Sequence, residues 1–223
     1  MRRFILWSLV LLLPLMVSCS PSPRAAVARG CADAEAACLQ GKATVLMNTS
    51  RGEITIEVDG DAAPLTAGNF VDLVRRGTYD GTMFHRVVKQ PVPFVVQGGD
   101  PQSSDRAVPL SQLGTGSFVD PETGLARMIP LEISFKGEAS PRYSRESANP
   151  SELENLVLNH ERGAVAMARS QAPDSASAQF YIALRPLPEL DGRYAVFGRV
   201  IKGMDVVDAI NQGDRITKAS LSN

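Results

Sequence analysis

Between Glu53 and Asp59 the chain alternates strictly: Ile54, Ile56 and Val58 are apolar, while Thr55 and Glu57 are polar. A period of two sends one set of side chains into a core and the other into water, so this run predicts a half-buried strand. The β-prone run Thr44–Asn48 precedes it across Thr49-Ser50-Arg51-Gly52, and the two together predict a hairpin. The period then changes. Phe70, Leu73 and Val74 fall at i, i+3 and i+4, Pro64 stands where a helix starts without needing an N–H, and Gly77 follows. That pattern predicts an amphipathic helix over Pro64–Arg76. From Gly77 onward, strand-like runs recur at Met83–Val88, Phe94–Gln97, Met128–Ile133, Ala164–Ala168, Gln179–Leu184 and Ala195–Val200, before a second helix at Met204–Asn211. Strands without intervening helices pair antiparallel, and this many in one domain predict a mainly β, closed barrel. The polar stretches Pro101–Gly116 and Lys136–Asn155 exceed ordinary loop length and read as surface excursions.

The first residues follow another pattern. Arg2 and Arg3 precede the largely apolar run Phe4–Val17, which ends in Ser18-Cys19. A spanning helix needs roughly 20 apolar residues; this run is shorter and holds Pro14, so it reads as a secretory signal and not as a permanent anchor. Met16-Val17-Ser18-Cys19 resembles the bacterial lipobox, in which cleavage before the cysteine leaves it as a lipid-bearing N-terminus. Residues 1–18 are therefore expected to be a lipoprotein signal peptide, 19–41 a lipid-anchored tether that opens on the Pro/Ser/Ala-rich Ser20–Gly30, and 42–223 the folded domain. The expected location is outside the inner membrane, facing the periplasm, with acyl chains on Cys19 holding the protein to a membrane.

Composition refines this picture only slightly. A chain of 223 residues with 44% hydrophobic and 21% charged positions suits one domain plus an appendage. Its formal net charge of -1, made more negative by loss of Arg2 and Arg3, argues against nucleic acid. With Cys19 assigned to lipid, Cys31 and Cys38 are left as a pair in a disulfide-permissive compartment. The residues between them are rich in helix formers. In a helix they would separate the two cysteines by about 10.5 Å, beyond the limit of about 7 Å for a bridge. A disulfide requires a loop there, and the sequence leaves both outcomes open.

Several chemistries lack their residues. The two histidines, His85 and His160, have no His-x-x-x-His or Cys-x-x-Cys neighbourhood, so no metal is expected. No Gly-x-Ser-x-Gly marks a hydrolase nucleophile, and the glycines of Gln97-Gly98-Gly99-Asp100 lack the order and the lysine of a phosphate-binding loop. What stands out is Arg86, a guanidinium at the start of the apolar segment MFHRVVKQPVPFVVQGGD. Taken alone, a lone arginine of this kind is ordinarily a structural ion pair.

It does not stand alone. Phe84-His85-Arg86, Phe94-Val95-Val96-Gln97-Gly98-Gly99-Asp100, Gly163 to Arg169, Ser177 to Ile182 and Leu190 to Gly198 resemble, in order, the signature blocks of the cyclophilins, over about Thr44 to Asn211. The resemblance implies an eight-stranded antiparallel barrel capped by two α-helices. It also implies peptidyl-prolyl cis-trans isomerase activity on proline-containing polypeptides, without a cofactor and as a monomer. Matched motif by motif, Arg86, Phe94 and Gln97 are the implied catalytic residues. Val95, Tyr181, Leu190 and Tyr194 complete the implied proline pocket with Phe94; Gln179, together with Gln97, hydrogen-bonds substrate or holds Arg86. Ala168 and Arg169, with Gly114 opposite, are implied to line the peptide channel. The rival reading on the same barrel is a non-catalytic peptide-binding or assembly module, for which the charged Arg86 has no use.

This sequence departs from the family pattern in places. Seven residues, VVKQPVP, separate Arg86 from Phe94 where four are usual. Pro91 and Pro93 cannot donate to a strand ladder, so an outward bulge with both flanks in register is expected. Glu189 and Tyr194 stand where many eukaryotic members carry tryptophan and histidine. The N-terminal reading has a direct check: intact-mass spectrometry of the mature protein is expected to show a chain that begins at an acylated Cys19, and an unprocessed Met1 would overturn it.

Overall fold

In the computed structural model the residues described are Gly30, Cys31 and 38–222; the signal-peptide assignment and the lipid site at Cys19 lie outside them. The alternating run becomes β2 (Gly52–Asp59). It pairs with β1 (Lys42–Thr49) in unbroken register from Lys42 opposite Asp59 to Thr49 opposite Gly52. Val45, Met47, Ile54, Ile56 and Val58 all face inward and are fully buried, as a period of two requires.

Eight strands form one antiparallel sheet. The others are β3 (Arg86–Val88), β4 (Val95–Gly98), β7 (Ala164–Met167), β8 (Phe180–Ala183), β9 (Val196–Lys202) and β10 (Ile216–Leu221), in the order β10-β1-β2-β9-β7-β8-β4-β3. The sheet curls until its edges approach, but it is a half-barrel and not the closed barrel expected. β3 and β10 are not laddered together. The segments leading into them meet at the isolated bridge between Met83 and Arg215, flanked by Phe84 N–H donating to the Asp214 carbonyl, Gly81 N–H to the Ile216 carbonyl and Ile216 N–H to the Thr82 carbonyl, each at 2.8 Å.

One expected strand is replaced by another. Met128–Ile133 is not in the large sheet: Pro130 supplies no N–H, Ile129 makes an isolated bridge to Ala176, and Glu132–Ile133 (β5) pairs with Arg142–Tyr143 (β6) in a separate two-stranded ribbon. The eighth strand is instead β10, which the periodicity did not reveal. Its buried Ile216 and Ala219 are separated by two exposed residues, Thr217 and Lys218, so the alternation is broken.

Among the described residues three α-helices accompany the sheet. The expected pair is α1 (Pro64–Arg75) and α3 (Met204–Ala209); the additional α2 (Pro150–Leu153) lies within the polar stretch read as an excursion. Helix α1 plugs the sheet with Leu65, Phe70, Leu73 and Val74. The Phe70 ring meets Tyr79 at 5.1 Å, Phe180 at 5.4 Å and Phe197 at 4.9 Å between centroids, distances at which tilted and edge-on aromatic pairs attract. At the N-terminal segment, Cys31 and Cys38 form a disulfide with a Cα–Cα distance of 5.7 Å, and Leu39 N–H donates to the Pro64 carbonyl at 3.0 Å.

The start of α1 has no capping side chain of its own, because Ala63 occupies that position. A carboxylate from β5 substitutes: Glu132 accepts from Leu65 N–H at 3.1 Å and Thr66 N–H at 2.7 Å, and Tyr143 Oη donates to it at 2.9 Å. Burial outweighs these donors and raises the Glu132 carboxyl above its ordinary value. The native pKa therefore exceeds the unfolded one, so stability contributed by this group declines as pH rises through that window. Glu132→Gln, which keeps the volume and removes the titration, is expected to destabilise by about 1–3 kcal/mol. The loss should be larger near pH ~4 than at neutrality; denaturant midpoints at the two pH values check it, and a loss that grows with pH would contradict the assignment.

Candidate active site

A hollow of about 260 Å³ lies on the outer face of the sheet. Its position follows from strand register. Arg86 on β3 is opposite Gln97 on β4, Gln97 is opposite Tyr181 on β8, and Tyr181 is opposite Ala166 on β7. Residues directly opposite share a face, so the four form one row pointing outward. Their neighbours Val96, Ile182 and Val165 point into the main core. The outward face is itself apolar, with Val95, Ala164, Ala166, Tyr181, Ala183 and Val196 packed under the partly buried Phe94, Leu190 and Tyr194. That is why these strands read as continuous apolar runs and not as alternating ones.

Nine of the eleven residues singled out in the sequence line this hollow: Arg86, Phe94, Val95, Gln97, Ala168, Arg169, Tyr181, Leu190 and Tyr194. The other two, Gly114 and Gln179, line an adjoining hollow of about 360 Å³. It is walled by Thr115, Gly116, Met128, Ser170, Ser175 and Ser177, and it shares Gln97, Ala168 and Arg169 with the first.

The polar groups are linked. Arg86 Nη1 donates to Gln97 Oε1 at 3.2 Å, Gln97 Nε2 to Gln179 Oε1 at 3.3 Å, and Gln179 Nε2 to the Gly116 carbonyl at 2.9 Å. Gln97, and not Gln179, therefore holds the arginine. The guanidinium carbon lies 5.9 Å from the centroid of Phe94, within cation–π range, and the side chain stays open to solvent. Arg169 is different. Its side chain is 4% exposed, donates to the carbonyls of Ser170, Gln171 and Arg193 and to Glu146, and sits 4.8 Å over the Tyr194 ring. Tyr194 in turn meets Tyr181 edge-on at 5.8 Å. Buried and fully paired, Arg169 props one wall of the hollow. Burial also pushes the Tyr181 hydroxyl well above the ordinary phenol value, so it stays protonated.

The sequence profile of the family described as cyclophilin type peptidyl-prolyl cis-trans isomerase/CLD matches residues 44–222. The chain belongs to this family. A protein of Synechocystis sp. named as a thylakoid lumen peptidyl-prolyl cis-trans isomerase is 39% identical over 193 residues, 82% of this chain; the match spans about half (48%) of that relative's length. A Brucella abortus protein named as a peptidyl-prolyl cis-trans isomerase is 33% identical over 182 residues, 81% of this chain and 77% of its own length. Among solved structures, a Cryptosporidium parvum cyclophilin type peptidyl-prolyl cis-trans isomerase covers 82% of this chain and 98% of its own with TM-score 0.58 at 22% identity, a likeness of fold.

Within this cyclophilin site the prolines Pro91 and Pro93 are not a bulge inside a strand. They belong to the loop of the β3–β4 hairpin, which closes with Phe94 N–H on the Val88 carbonyl at 2.9 Å, and both flanks are in register as expected. Val92 at its tip is 55% exposed. Lys89 Nζ ties the loop to the Asp208 and Ile210 carbonyls, and Arg185 Nε to the Pro93 carbonyl at 3.1 Å.

Asp100 was not singled out in the sequence, yet it organises the second hollow. Fully buried, it accepts from the backbone N–H of Gln102 at 2.9 Å, Gly114 at 2.6 Å and Gly116 at 3.2 Å. A Cβ at Gly116 would lie 2.0 Å from Asp100 Oδ1, so that position admits only glycine. Gln-Gly-Gly-Asp followed by a glycine pair fourteen and sixteen residues on was the available signal, and the sequence shows only that it is not a phosphate-binding loop. Asp100→Ala strands three backbone donors, of which that of Gly116 is buried. It is expected to destabilise by about 3 kcal/mol and to lower activity with it, because Gly116 no longer anchors Gln179; a variant of unchanged midpoint in chemical denaturation would refute this role.

Proposed function

We propose that this chain accelerates the cis-trans isomerisation of X-Pro peptide bonds in extracytoplasmic polypeptides of a bacterium, with Arg86 as the catalytic donor. The observation that carries the reading is the placement of an exposed, always-charged guanidinium, held by Gln97, at the edge of a hollow otherwise walled by Phe94, Val95, Tyr181, Leu190 and Tyr194. The size of that hollow suits a proline ring. Gly114, Ala168, Arg169 and Gln179 extend the surface for the flanking peptide.

The chemistry needs no nucleophile. Rotation about an X-Pro bond faces a barrier near ~18–20 kcal/mol, set by lost amide resonance, and unaided it takes tens of seconds. At the twisted state the proline nitrogen recovers a localised lone pair that the planar amide lacks. A donor aimed there binds the transition state in preference to the ground state, which is the condition for catalysis. One preorganised donor in a dry site contributes about 3–4 kcal/mol, whereas reaching milliseconds takes about four decades, near 5–6 kcal/mol. The apolar wall supplies the remainder by holding the ring while the preceding carbonyl swings and by excluding water from the more polar planar amide.

The lipobox-like Met16 to Cys19 and the Pro/Ser-rich stretch after it support a membrane-tethered protein whose domain works outside the inner membrane. The name of the Synechocystis relative places that protein in the thylakoid lumen, itself outside the cytoplasm. A Cryptosporidium parvum cyclophilin structure was obtained in the presence of the dipeptide Ala-Pro, which makes Ala-Pro a suitable binding probe here. The deciding experiment is a protease-coupled isomerisation assay on the full chain. Arg86→Ala is expected to lower kcat/KM by about 10²–10³-fold, the factor one such donor carries, while Ala-Pro still binds. Equal rates for the two proteins would leave only the peptide-binding module.

A further inference from the structure

His160 is the second histidine of the chain and lines no part of the proline hollow. It precedes β7 and is 2% exposed, yet every polar atom it owns has a partner. Its backbone N–H donates to Asp191 Oδ1 at 2.8 Å, and its ring Nδ1 lies 2.7 Å from the same oxygen. Its carbonyl accepts from Leu187 N–H at 2.8 Å. Its Nε2 lies 2.8 Å from the Tyr181 hydroxyl, with the two rings nearly parallel at 12° and 5.9 Å between centroids. A carboxylate oxygen only accepts, so in the neutral ring the proton sits on Nδ1 and Nε2 accepts from Tyr181.

These bonds converge on two walls of the hollow. One is Tyr181 on β8. The other is the turn at Pro188–Leu190, which starts from the Leu187 N–H bond, carries Leu190 into the hollow, and is followed at once by Asp191. A tyrosine in this wall carries a hydroxyl that a purely apolar pocket has no partner for. Left unpaired and buried, it would favour a ring position that brings the oxygen to water, and the open hollow that Tyr181 lines is one such place. His160 draws the hydroxyl inward, so the pocket meets the ring and not its polar tip.

We propose that His160, braced by Asp191, is a positioning residue of the isomerase site: it holds the Tyr181 hydroxyl away from the hollow and fixes the Leu190 turn beside it. The inference rests on the reading of this hollow as the proline pocket. Were His160 only filling the core, removing the Tyr181 hydroxyl would not repair its loss.

The test uses the full chain as wild type, His160→Leu, Tyr181→Phe and the double variant, with circular dichroism as the folding control. His160→Leu is expected to lower kcat/KM by about tenfold, the factor one stranded buried hydroxyl carries. The double variant is expected to return to within about threefold of Tyr181→Phe, because removing the hydroxyl removes the need for its acceptor. A folded His160→Leu with wild-type kcat/KM overturns the proposal, as does a double variant no better than His160→Leu. Should His160→Leu not fold, a folded and active double variant supports the link, and a double variant that also fails to fold overturns it. Proton NMR separates this inference from the functional one. In wild type the Tyr181 hydroxyl should give a slowly exchanging downfield signal that His160→Leu loses, whether or not the protein turns over peptide; its absence in wild type also overturns the proposal, whereas a wild type inactive towards proline peptides overturns the functional reading alone.

Discussion

Everything at the site depends on the register of four adjacent strands. Because β3, β4, β8 and β7 pair so that Arg86, Gln97, Tyr181 and Ala166 stand in one row, their charged, polar and aromatic side chains face outward together, and Val96, Ile182 and Val165 enter the main core. Side chains alternate with a period of two, so a slip of one residue would bury the guanidinium and expose the valines. The same pairing that fills the core therefore also builds the pocket, and neither can drift without the other.

Two arginines in this pocket show how burial assigns roles. Arg169, at 4% exposure, has carbonyl oxygens and Glu146 around it, and its charge is spent on holding the chain after β7 against Tyr194. Arg86 has one side-chain acceptor, Gln97, and an aromatic face beside it. It keeps its hydration in the free protein and so avoids the penalty of a buried charge. It also retains donors for a ligand. The amide chain behind it, through Gln179 to Gly116 and Asp100, reaches into buried structure and restricts where the guanidinium can point.

Much of this was legible in the chain. The β1–β2 hairpin, α1 within one residue at its end, and seven of the eight large-sheet strands followed from local periods and apolar runs, because each is decided by neighbours a few residues away. The candidate site was legible through a resemblance spread over five blocks, which places Arg86, Phe94 and Tyr181 in one hollow. The failures also have physical causes. Pro130 interrupts a run that looked like a strand, and the consecutive exposed Thr217 and Lys218 conceal one that is. The half-barrel's seam, an isolated bridge at Met83 and Arg215 with a few backbone bonds around it, depends on how far the sheet coils, which no local pattern encodes.

The sequence by itself determined the local periods, the presence of a fixed guanidinium within an apolar segment, and the lack of metal or nucleophile spacing. Only the tertiary structure decided which polar groups meet. Asp100 with Gly114 and Gly116, Glu132 with Leu65 and Thr66, and His160 with Tyr181 and Asp191 are each joined across loops or between distant strands. The reason is one of range. Hydrophobic periodicity is a property of consecutive residues, whereas a hydrogen bond acts over about 3 Å and is specified only when folding brings its two ends to that distance.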